Sequence, residues 1–174
     1  MGVELEHAIR TRRTHKVFAP EPVGPELLER FFELARWAPN HHLTNPWRFR
    51  VLGPRTLERL KAIAENGAPG SGSKLDRAPT LVVASVYTQG DDAQQREDLL
   101  ASAVAAYLVL LAAHGAGLAG YWRTLPLLDS PAGREVLELD ALETPIGLLH
   151  LGRRRQEQYV PERAPVTDFV HHLP

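Results

Sequence analysis

The sequence predicts an α+β fold in which helices surround a small central β-sheet. Five segments show apolar residues at helical spacing, and four short segments have the composition of strands. One helix near the middle of the chain is long and almost wholly apolar, so it must be buried on several sides. With 174 residues the chain fits one domain over residues 1–174.

Two helices are predicted before the first strand. Residues 3–13 form the first, in which one face carries Leu5, Ala8 and Ile9. A turn at residues 19–22 follows, and Pro25 takes the first position of the second helix, where its missing N–H costs nothing. That helix buries a broad stripe and ends before Pro39. The stripe consists of Leu27, Leu28, Phe31, Phe32 and Ala35.

The next segments alternate between strand and helix patterns. Residues 47–52 have a period of two, which places Trp47, Phe49 and Val51 on the buried face. A third helix follows Pro54 and carries Leu57, Leu60, Ile63 and Ala64. Residues 67–73 are rich in Gly and Ser, which predicts a mobile loop. Residues 80–86 predict a strand that is buried on both faces.

The long helix covers residues 93–114. A monomer of this size has limited means to bury it all round, so we expect dimerisation through this helix. A strand at 119–122, a short helix at 131–137 and a strand at 145–152 complete the sheet. Residues 163–174 predict an extended C-terminal tail that lies on another surface.

Composition excludes several classes of function. The net charge of −1 argues against a nucleic-acid partner. There is no cysteine, which excludes disulfides, iron–sulfur clusters and cysteine nucleophiles. The apolar run over residues 99–113 is shorter than the roughly 18 residues of a membrane span, which favours a core helix. The N-terminus lacks the apolar region of a signal peptide, so we expect a cytoplasmic protein without a membrane partner.

A basic cluster follows the first helix and consists of Arg12, Arg13, Thr14, His15 and Lys16. Guanidinium, hydroxyl and ammonium donors together suit one phosphorylated small molecule. The alternative is that these cations only complement the dipole at the helix C-terminus. A second basic cluster, residues 153–155, is either a solvated loop or a phosphate-binding element.

The segment APNHHLTNPW, residues 38–47, joins a buried helix to a buried strand. Prolines at both ends of a polar loop suit a site that holds a flat polar ring rigidly. A metal site is disfavoured, since His41 and His42 are adjacent and no Cys, Asp or Glu lies nearby to complete a ligand set. The same holds for His171 and His172. The interpretation as a histidine-dependent hydrolase is also disfavoured, because no nucleophile motif is present.

Residues 115–120, GAGLAG, match the dinucleotide-binding pattern G-x-G-x-x-G. That pattern has its physical meaning only between a strand and the start of a helix, whereas here it follows a helix and precedes a strand. We therefore expect these glycines to end the long helix. The next segment, residues 120–124 (GYWRT), places Trp122 beside Arg123 at a strand end. Two interpretations fit this segment: it contacts a reduced flavin, or it is an ordinary strand end with a buried Trp and a surface Arg.

Three of these segments, taken in their order along the chain, resemble the nitroreductase family, most closely its small single-domain branch. They are Arg12-Arg13-Thr14, residues 38–49 (APNHHLTNPWRF) and residues 120–124. The resemblance covers residues 5–152, and the APNHHLTNPWRF segment is its most specific part. It implies an intertwined homodimer with two FMN sites at the interface, each built from both subunits. FMN would be bound non-covalently, and NADH or NADPH would donate electrons to a small-molecule acceptor.

The resemblance also implies roles for individual residues. Arg12 and Thr14 would hold the FMN phosphate and ribityl end, with Arg13 beside them and Lys16 near the ring. His41, flanked by Asn40 and His42, would approach from the other subunit. Trp122, Arg123 and Thr124 would line the isoalloxazine, and Gly152 and Arg153 would close on the phosphate. No protein side chain would be catalytic, since the chemistry occurs on the flavin N5 atom.

The sequence departs from the family pattern at Asn45, which stands where Gln or Glu is more usual, and at Leu43, where larger members carry Asn. The chain is also too short for the helical excursion that covers the pocket in larger members. An open site and ping-pong transfer to nitroaromatic, quinone or similar acceptors would follow. The alternatives are an FMN-binding module that senses or stores the cofactor, and a specialised reaction such as reductive dehalogenation or flavin breakdown.

Overall fold

A four-stranded antiparallel sheet forms the centre of the protein, in the strand order β1-β2-β4-β3. The computed structural model describes residues 4–174, so Val3, the first residue of the first predicted helix, lies outside the described residues. The strands are β1 (Trp47–Val51), β2 (Thr80–Tyr87), β3 (Ala119–Arg123) and β4 (Glu143–Gly152). The helices are α1 (Leu5–Thr11), α2 (Pro25–Ala35), α3 (Pro54–Gly67), α4 (Asp92–Gly115) and α5 (Pro131–Leu137). The predicted α+β fold is therefore confirmed.

Each face of the sheet is covered by helices. On one face, α2 and α4 pack against Val82, Ala84, Leu149 and Leu151. On the other face, α3 and α5 pack against Leu81, Val83 and Leu148. Strand β2 is buried over almost its whole length, because it is paired on both sides and covered on both faces. A strand that is covered on both faces requires a nearly continuous run of apolar residues, and the sequence TLVVASV provides one.

Helix α4 has a defined cap at each end. At its start, the Asp91 carboxylate accepts a hydrogen bond from the Gln94 backbone N–H at 2.9 Å. At its end, Gly117 adopts φ +78°, and the backbone N–H of Leu118 reaches back to the Ala113 carbonyl oxygen at 2.9 Å. This is a Schellman ending, in which a left-handed residue closes the helix. The G-x-G-x-x-G match therefore terminates a helix, as predicted.

By length and mean hydropathy α4 could cross a membrane, but within the fold it is the helix that packs across the sheet. Alanines and valines such as Ala105, Ala106 and Val109 face the core. One stripe is left uncovered, in which Leu100 is 59% exposed and Val104 is 40% exposed. These two residues lie one turn apart and therefore on the same face of the helix.

Two predicted faces differ from the structure. In α1 only Ala8 is buried, whereas Leu5 and Ile9 are exposed. In β1 the alternation fails at Arg50 and Val51, because Val51 is exposed and the Arg50 guanidinium forms an ion pair with the buried Glu143. Ser85 also hydrogen-bonds to that carboxylate. Glu143 precedes the predicted start of its strand, so the sequence pattern did not reveal this partner.

The loop at residues 67–73 is held by one carboxylate. Both Glu65 side-chain oxygens accept backbone N–H bonds, from Gly70 at 2.7 Å and from Gly72 at 3.1 Å. These bonds lower the pKa of Glu65. A Gly- and Ser-rich composition does not reveal such an anchor, because the acceptor lies on the preceding helix.

His150 is an uncompensated polar group in the core. Its side chain is fully buried near the end of β4, beside Tyr121, and by hydrogen-bond geometry neither ring nitrogen has a partner within residues 4–174. Burial lowers the pKa of His150 to about 4; the Arg123 and Arg77 charges act in the same direction, and the nearby Leu148 and Tyr121 backbone groups oppose them.

We expect His150→Leu to stabilise the protein by about 1–3 kcal/mol at pH 7, because it removes a buried polar group without partners. In the wild type, stability should fall as pH drops from 6.5 towards 4, since the unfolded histidine takes up a proton there and the folded one does not. Urea unfolding at pH 5 and pH 7 measures both effects. A His150→Leu variant with the same acid-induced loss as the wild type would contradict this explanation.

Candidate cofactor site

Three of the sequence segments predicted to bind a cofactor meet at the β3 edge of the sheet. Thr14 forms a parallel bridge with Gly120, and the His15 backbone N–H donates to the Gly120 carbonyl oxygen at 3.2 Å. Gly152 pairs with Ala119, the first residue of β3. The Arg153 carbonyl oxygen accepts from the Ala19 backbone N–H at 2.8 Å. The backbone thus brings residues 12–16, 119–124 and 152–153 side by side.

The side chains of the first segment differ in what they contact. The Arg12 guanidinium lies 5.7 Å from the centre of the Tyr107 ring, a distance typical of a cation–π contact. Arg13 donates from Nη1 to the carbonyl oxygens of Arg10 and Arg12, both at 2.7 Å. Thr14 and Lys16 are exposed, and within residues 4–174 their side chains form no hydrogen bond or ion pair. Their polar atoms are therefore available to a ligand.

Trp122 and Arg123 point to opposite faces of the sheet, as successive strand residues do. The Trp122 indole Nε1 donates to the Ile146 carbonyl oxygen at 3.1 Å. A Cβ on Gly147 would lie 2.1 Å from that Nε1 atom, so only glycine allows this close approach. Arg123 instead borders a largely apolar cavity of about 500 Å³ between α3 and residues 125–130, with Lys74 on its lining.

Arg123 also has an uncompensated donor. Its Nη1 atom is buried and has no hydrogen-bond partner among the described residues. A buried charged group without a partner costs free energy unless a ligand supplies the acceptor. Thr124 follows at the strand end and is exposed. This end of β3 therefore presents an unused guanidinium donor and a free hydroxyl.

The loop between α2 and β1 is fixed in an unusual backbone conformation. His42, Leu43 and Asn45 all have positive φ values of 57°, 52° and 49°. Such values are uncommon for residues other than glycine and persist only where the surroundings impose them. The His41 and His42 rings lie with their centres 3.8 Å apart and are both exposed. The loop thus presents two histidines on a strained, rigid backbone.

Asn40 holds this loop together. Its Oδ1 atom accepts from the Asn45 backbone N–H at 2.6 Å, and its Nδ2 atom donates to the Thr44 Oγ1 atom at 3.0 Å. Thr44 in turn donates to the buried carboxylate of Asp98 on α4 at 2.6 Å. Asn40 was predicted to flank a ligand-contacting histidine. Within one chain its side chain is used to shape the loop.

We expect Asn40→Ala to release the loop, because it removes the three hydrogen bonds that the Asn40 side chain forms with His41, Thr44 and Asn45. Affinity for the cofactor should fall about tenfold, whereas the free energy of unfolding should change by about 1 kcal/mol or less, since the loop lies outside the core. Cofactor titration and urea unfolding of the same preparation measure the two effects. Equal cofactor affinity in variant and wild type would contradict the role assigned to the loop.

The histidine loop lies at the start of α4, whereas Thr11 and Arg12 contact the second half of this helix, at His114 and Tyr107. The loop is tied to Asp98, near the start of the helix, whereas Thr11 contacts His114, near its end, at 2.9 Å. Sixteen residues separate Asp98 from His114, which corresponds to about 24 Å along the helix axis at a rise of ~1.5 Å per residue. One chain therefore does not bring His41 next to Arg12 and Thr14.

Four residues that support this site were not predicted from the sequence. Asp98 anchors the loop, Tyr107 lies under Arg12, and Ile146 and Gly147 hold the Trp122 indole. Asp98 carried a signal, because it is a charged residue at the edge of a long apolar run. The others look like ordinary core residues in sequence. Residues 4–174 hold no cluster of His, Asp or Glu arranged to bind a metal ion.

Comparisons with known proteins show what the chain is similar to. The model of the nitroreductase family matches residues 9–153. YdjA of Escherichia coli, provisionally named an NAD(P)H nitroreductase, is 29% identical over 159 residues, which cover 85% of this chain and 86% of YdjA. YfhC of Bacillus subtilis, named in the same way, is 23% identical and covers 94% of this chain and 91% of YfhC.

Solved structures share the fold. A nitroreductase-like protein from Bacillus cereus superposes with a TM-score of 0.89 at 21% identity, covering 99% of this chain and 97% of that one. The NADPH:FMN oxidoreductase of Vibrio harveyi, solved with NAD⁺, gives a TM-score of 0.82 at 20% identity and covers 97% of this chain and 76% of its own.

Proposed function

The chain belongs to the nitroreductase family, and we propose that it is an FMN-dependent oxidoreductase that passes electrons from NADH or NADPH to a nitroaromatic, a quinone or a similar small acceptor. The family match covers 145 of the 174 residues (9–153), and the full-length similarity to proteins named NAD(P)H nitroreductases supports the same enzyme class.

The residues at the β3 edge fit FMN. Its phosphate requires charged and hydroxyl donors, and the Arg12 guanidinium and the Thr14 hydroxyl are both free of competing ion pairs within residues 4–174. The buried Arg123 Nη1 donor, which has no partner, is compensated if an acceptor lies beside it. Arg12 and Thr14, with Arg13 beside them, would hold the phosphate and ribityl end, and Gly152 and Arg153 would close on the phosphate. Lys16 would lie near the ring, which Trp122, Arg123 and Thr124 would line.

FMN, when bound, supplies the redox chemistry, by accepting hydride from the nicotinamide and passing electrons to the acceptor. The chain itself positions and tunes the cofactor. Positive charge from Arg123 and Lys16 would stabilise negative charge on the ring. The half-buried Trp122 indole ties β3 to β4 through its hydrogen bond to the Ile146 carbonyl oxygen. No side chain needs to act as nucleophile or general acid. This suits a reaction in which the nicotinamide and the electron acceptor bind one after the other at the same exposed face of the cofactor.

A second chain is needed to complete the site. His41 and His42 border residues 90–97 at the start of α4, whereas the Arg12 guanidinium lies over Tyr107, at least ten residues or about 15 Å further along at a rise of ~1.5 Å per residue. Asn40, His41 and His42 would therefore reach the cofactor from a partner. The exposed stripe of Leu100 and Val104 offers the surface for such a partner. If two α4 helices pack antiparallel about a two-fold axis, the start of one lies beside the end of the other. This arrangement forms two equivalent sites.

We also expect residues 1–174 to form a single domain and the protein to be cytoplasmic. The tail at residues 163–174 is exposed throughout, although it carries large apolar side chains such as Val166, Phe169 and Leu173. Exposed apolar residues in a terminal segment suit packing against a second copy.

The observation that carries the proposal is the backbone pairing of Thr14 with Gly120 and of Ala119 with Gly152, which places the basic segment beside β3. Purified protein should bind one FMN per chain, turn yellow, and oxidise NADH or NADPH in the presence of a nitroaromatic or a quinone. Bound FMN without nicotinamide oxidation would favour the alternative of a sensor or storage module. Protein that neither binds FMN nor oxidises a nicotinamide would overturn the proposal.

A further inference from the structure

The segment between α3 and β2 forms one wall of the cavity that Arg123 borders. Ala68, Ser71 and Lys74 line the cavity from this segment, and Arg123 lines it from the end of β3. The remaining lining is apolar or small, so among the described residues that line the cavity only Lys74 and Arg123 carry charge. The conformation of this segment therefore decides whether a second positive charge faces the cavity.

The local sequence does little to fix this segment. Residues 67–73 read GAPGSGS, and three of these seven residues are glycines. Gly70 adopts φ +78°, a left-handed conformation that glycine enters without a steric cost. A chain of this composition loses much conformational entropy when it is held in one shape. It keeps one shape only where contacts from outside the loop hold it.

Glu65, in the last turn of α3, supplies such contacts. Its Oε1 atom accepts from the Gly70 backbone N–H at 2.7 Å, and its Oε2 atom accepts from the Gly72 backbone N–H at 3.1 Å. A Cβ on Gly72 would lie 3.2 Å from Oε2 and 3.0 Å from the Lys61 carbonyl oxygen, so glycine suits this close approach. Both bonds lower the pKa of Glu65, so its carboxylate is ionised at neutral pH.

A short turn connects these contacts to Lys74. Gly72 is the first residue of a 3₁₀ turn, Gly72–Leu75, in which the Lys74 backbone N–H donates to the Ser71 carbonyl oxygen at 3.2 Å. Leu75 ends the turn and is buried in the core. Glu65 itself is exposed and does not line the cavity. The effect of its hydrogen bonds on the cavity is therefore transmitted by the loop backbone.

We propose that Glu65 is a positioning residue for the flavin reaction, which holds the loop in the conformation in which Lys74 presents its charge to the cavity. The inference rests on the proposed function, in which Arg123 lines the isoalloxazine and the cavity adjoins the ring. A cation in largely apolar surroundings stabilises negative charge on a reduced ring more strongly than a cation in water. Loss of the anchor releases the loop and carries the lysine charge towards solvent.

The direction of the change in flavin potential separates positioning from a simple charge effect. If the Glu65 carboxylate acted only as a negative charge, its removal would stabilise the reduced ring and raise the potential. If it positions Lys74, Glu65→Ala weakens the binding of reduced relative to oxidised FMN about tenfold, which lowers the potential by about 30 mV for a two-electron couple. Glu65→Gln should have a smaller effect, because its amide retains one acceptor oxygen.

The experiment compares FMN-loaded variants with the FMN-loaded wild type. Anaerobic titration against a reference dye measures the potential, and hydrogen exchange of the Gly70 and Gly72 amides reports whether the anchor is lost. Glu58→Ala is the matched control, because Glu58 is exposed on the same helix and pairs with Lys61 at 3.4 Å. This control should leave the potential and the exchange of both amides unchanged. If Glu65→Ala folds poorly, the same comparison is made with Glu65→Gln.

A double-mutant cycle tests whether Glu65 acts through Lys74. In Lys74→Gln protein, Glu65→Ala should lower the potential no further, since the residue through which it acts is gone. An unchanged or raised potential in Glu65→Ala, an equal drop in Glu58→Ala, or additive drops in the cycle would each overturn the inference and leave the proposed function in place. A wild type that binds no FMN would overturn the proposed function and this inference with it.

Discussion

Leu100→Asp should convert the protein to a monomer and remove its FMN. Leu100 is 59% exposed on α4, one turn from the exposed Val104, so the substitution itself should not disturb the core of one chain. In a two-fold dimer built on α4 the new carboxylate would enter the interface twice, and each buried unpaired charge costs several kcal/mol. The dimer should therefore weaken at least about a hundredfold, since each 1.4 kcal/mol is a factor of ten.

Sedimentation velocity with detection at 280 and 450 nm measures mass and flavin together. The variant should sediment as a single chain without flavin absorbance, while its far-ultraviolet circular dichroism matches that of the wild type. The control is Leu142→Asp, because Leu142 is also an exposed leucine, at 46%, but precedes β4 rather than lying on α4. That variant should stay dimeric and yellow. A monomeric Leu100→Asp protein with a full complement of FMN would show that the site is complete within one chain.

The second large effect is expected from Arg12→Gln. If the Arg12 guanidinium binds the FMN phosphate through charge-assisted hydrogen bonds, its loss should weaken FMN binding about 10- to 100-fold, corresponding to 1.5–3 kcal/mol. Arg12→Lys should recover part of this loss, because it restores the charge without the planar fork. The turnover rate at saturating FMN should fall far less, since Arg12 holds the end of the cofactor remote from the reacting ring.

Fluorescence titration of the apoprotein with FMN measures the affinity directly. The control is Arg10→Gln, in which an exposed arginine of the same helix loses only its ion pair with Glu6 at 2.9 Å. An exposed ion pair of this kind contributes little to stability, so FMN affinity should not change. Equal affinities for Arg12→Gln and Arg10→Gln would exclude Arg12 from the phosphate site.

Much of the fold could be predicted from local patterns. The apolar run at β2 and the helical spacing in α2, α3 and α4 reflect burial on the faces that the sequence indicates. Proline at the first position of α2 and α3 and a left-handed glycine after α4 mark the ends of helices by the conformations they permit. These features depend on residues close in sequence, which is why they could be recognised without the structure.

The departures come from contacts between residues distant in sequence. The charge of Arg50 predicted a solvent-facing position, but Glu143, 93 residues later, draws its guanidinium towards the core. The apolar spacing of α1 predicted a buried face, and in one chain Leu5 and Ile9 remain exposed. Neither outcome is visible in a window of neighbouring residues, since each depends on which element packs alongside.

The candidate site shows the same division. Sequence motifs indicated which residues carry phosphate- and ring-binding chemistry, and the structure brings the basic segment beside β3. The motifs did not indicate that Arg13 donates to carbonyl oxygens of its own segment, or that Asn40 forms hydrogen bonds within its own loop. Side-chain direction follows from the backbone path, which in both segments is irregular. Residue composition alone does not encode it.

The central claim is that each FMN site combines Arg12 and Thr14 of one chain with the histidine loop of the other. The most direct test is the FMN content of a heterodimer between Arg12→Gln/Thr14→Ala chains and Asn40→Ala/His41→Ala chains, purified by two different affinity tags. Each homodimer should bind FMN poorly at both sites. The heterodimer should hold one FMN at wild-type affinity, because one of its two sites receives intact residues from both chains. A heterodimer that binds FMN as poorly as either parent would contradict a shared site.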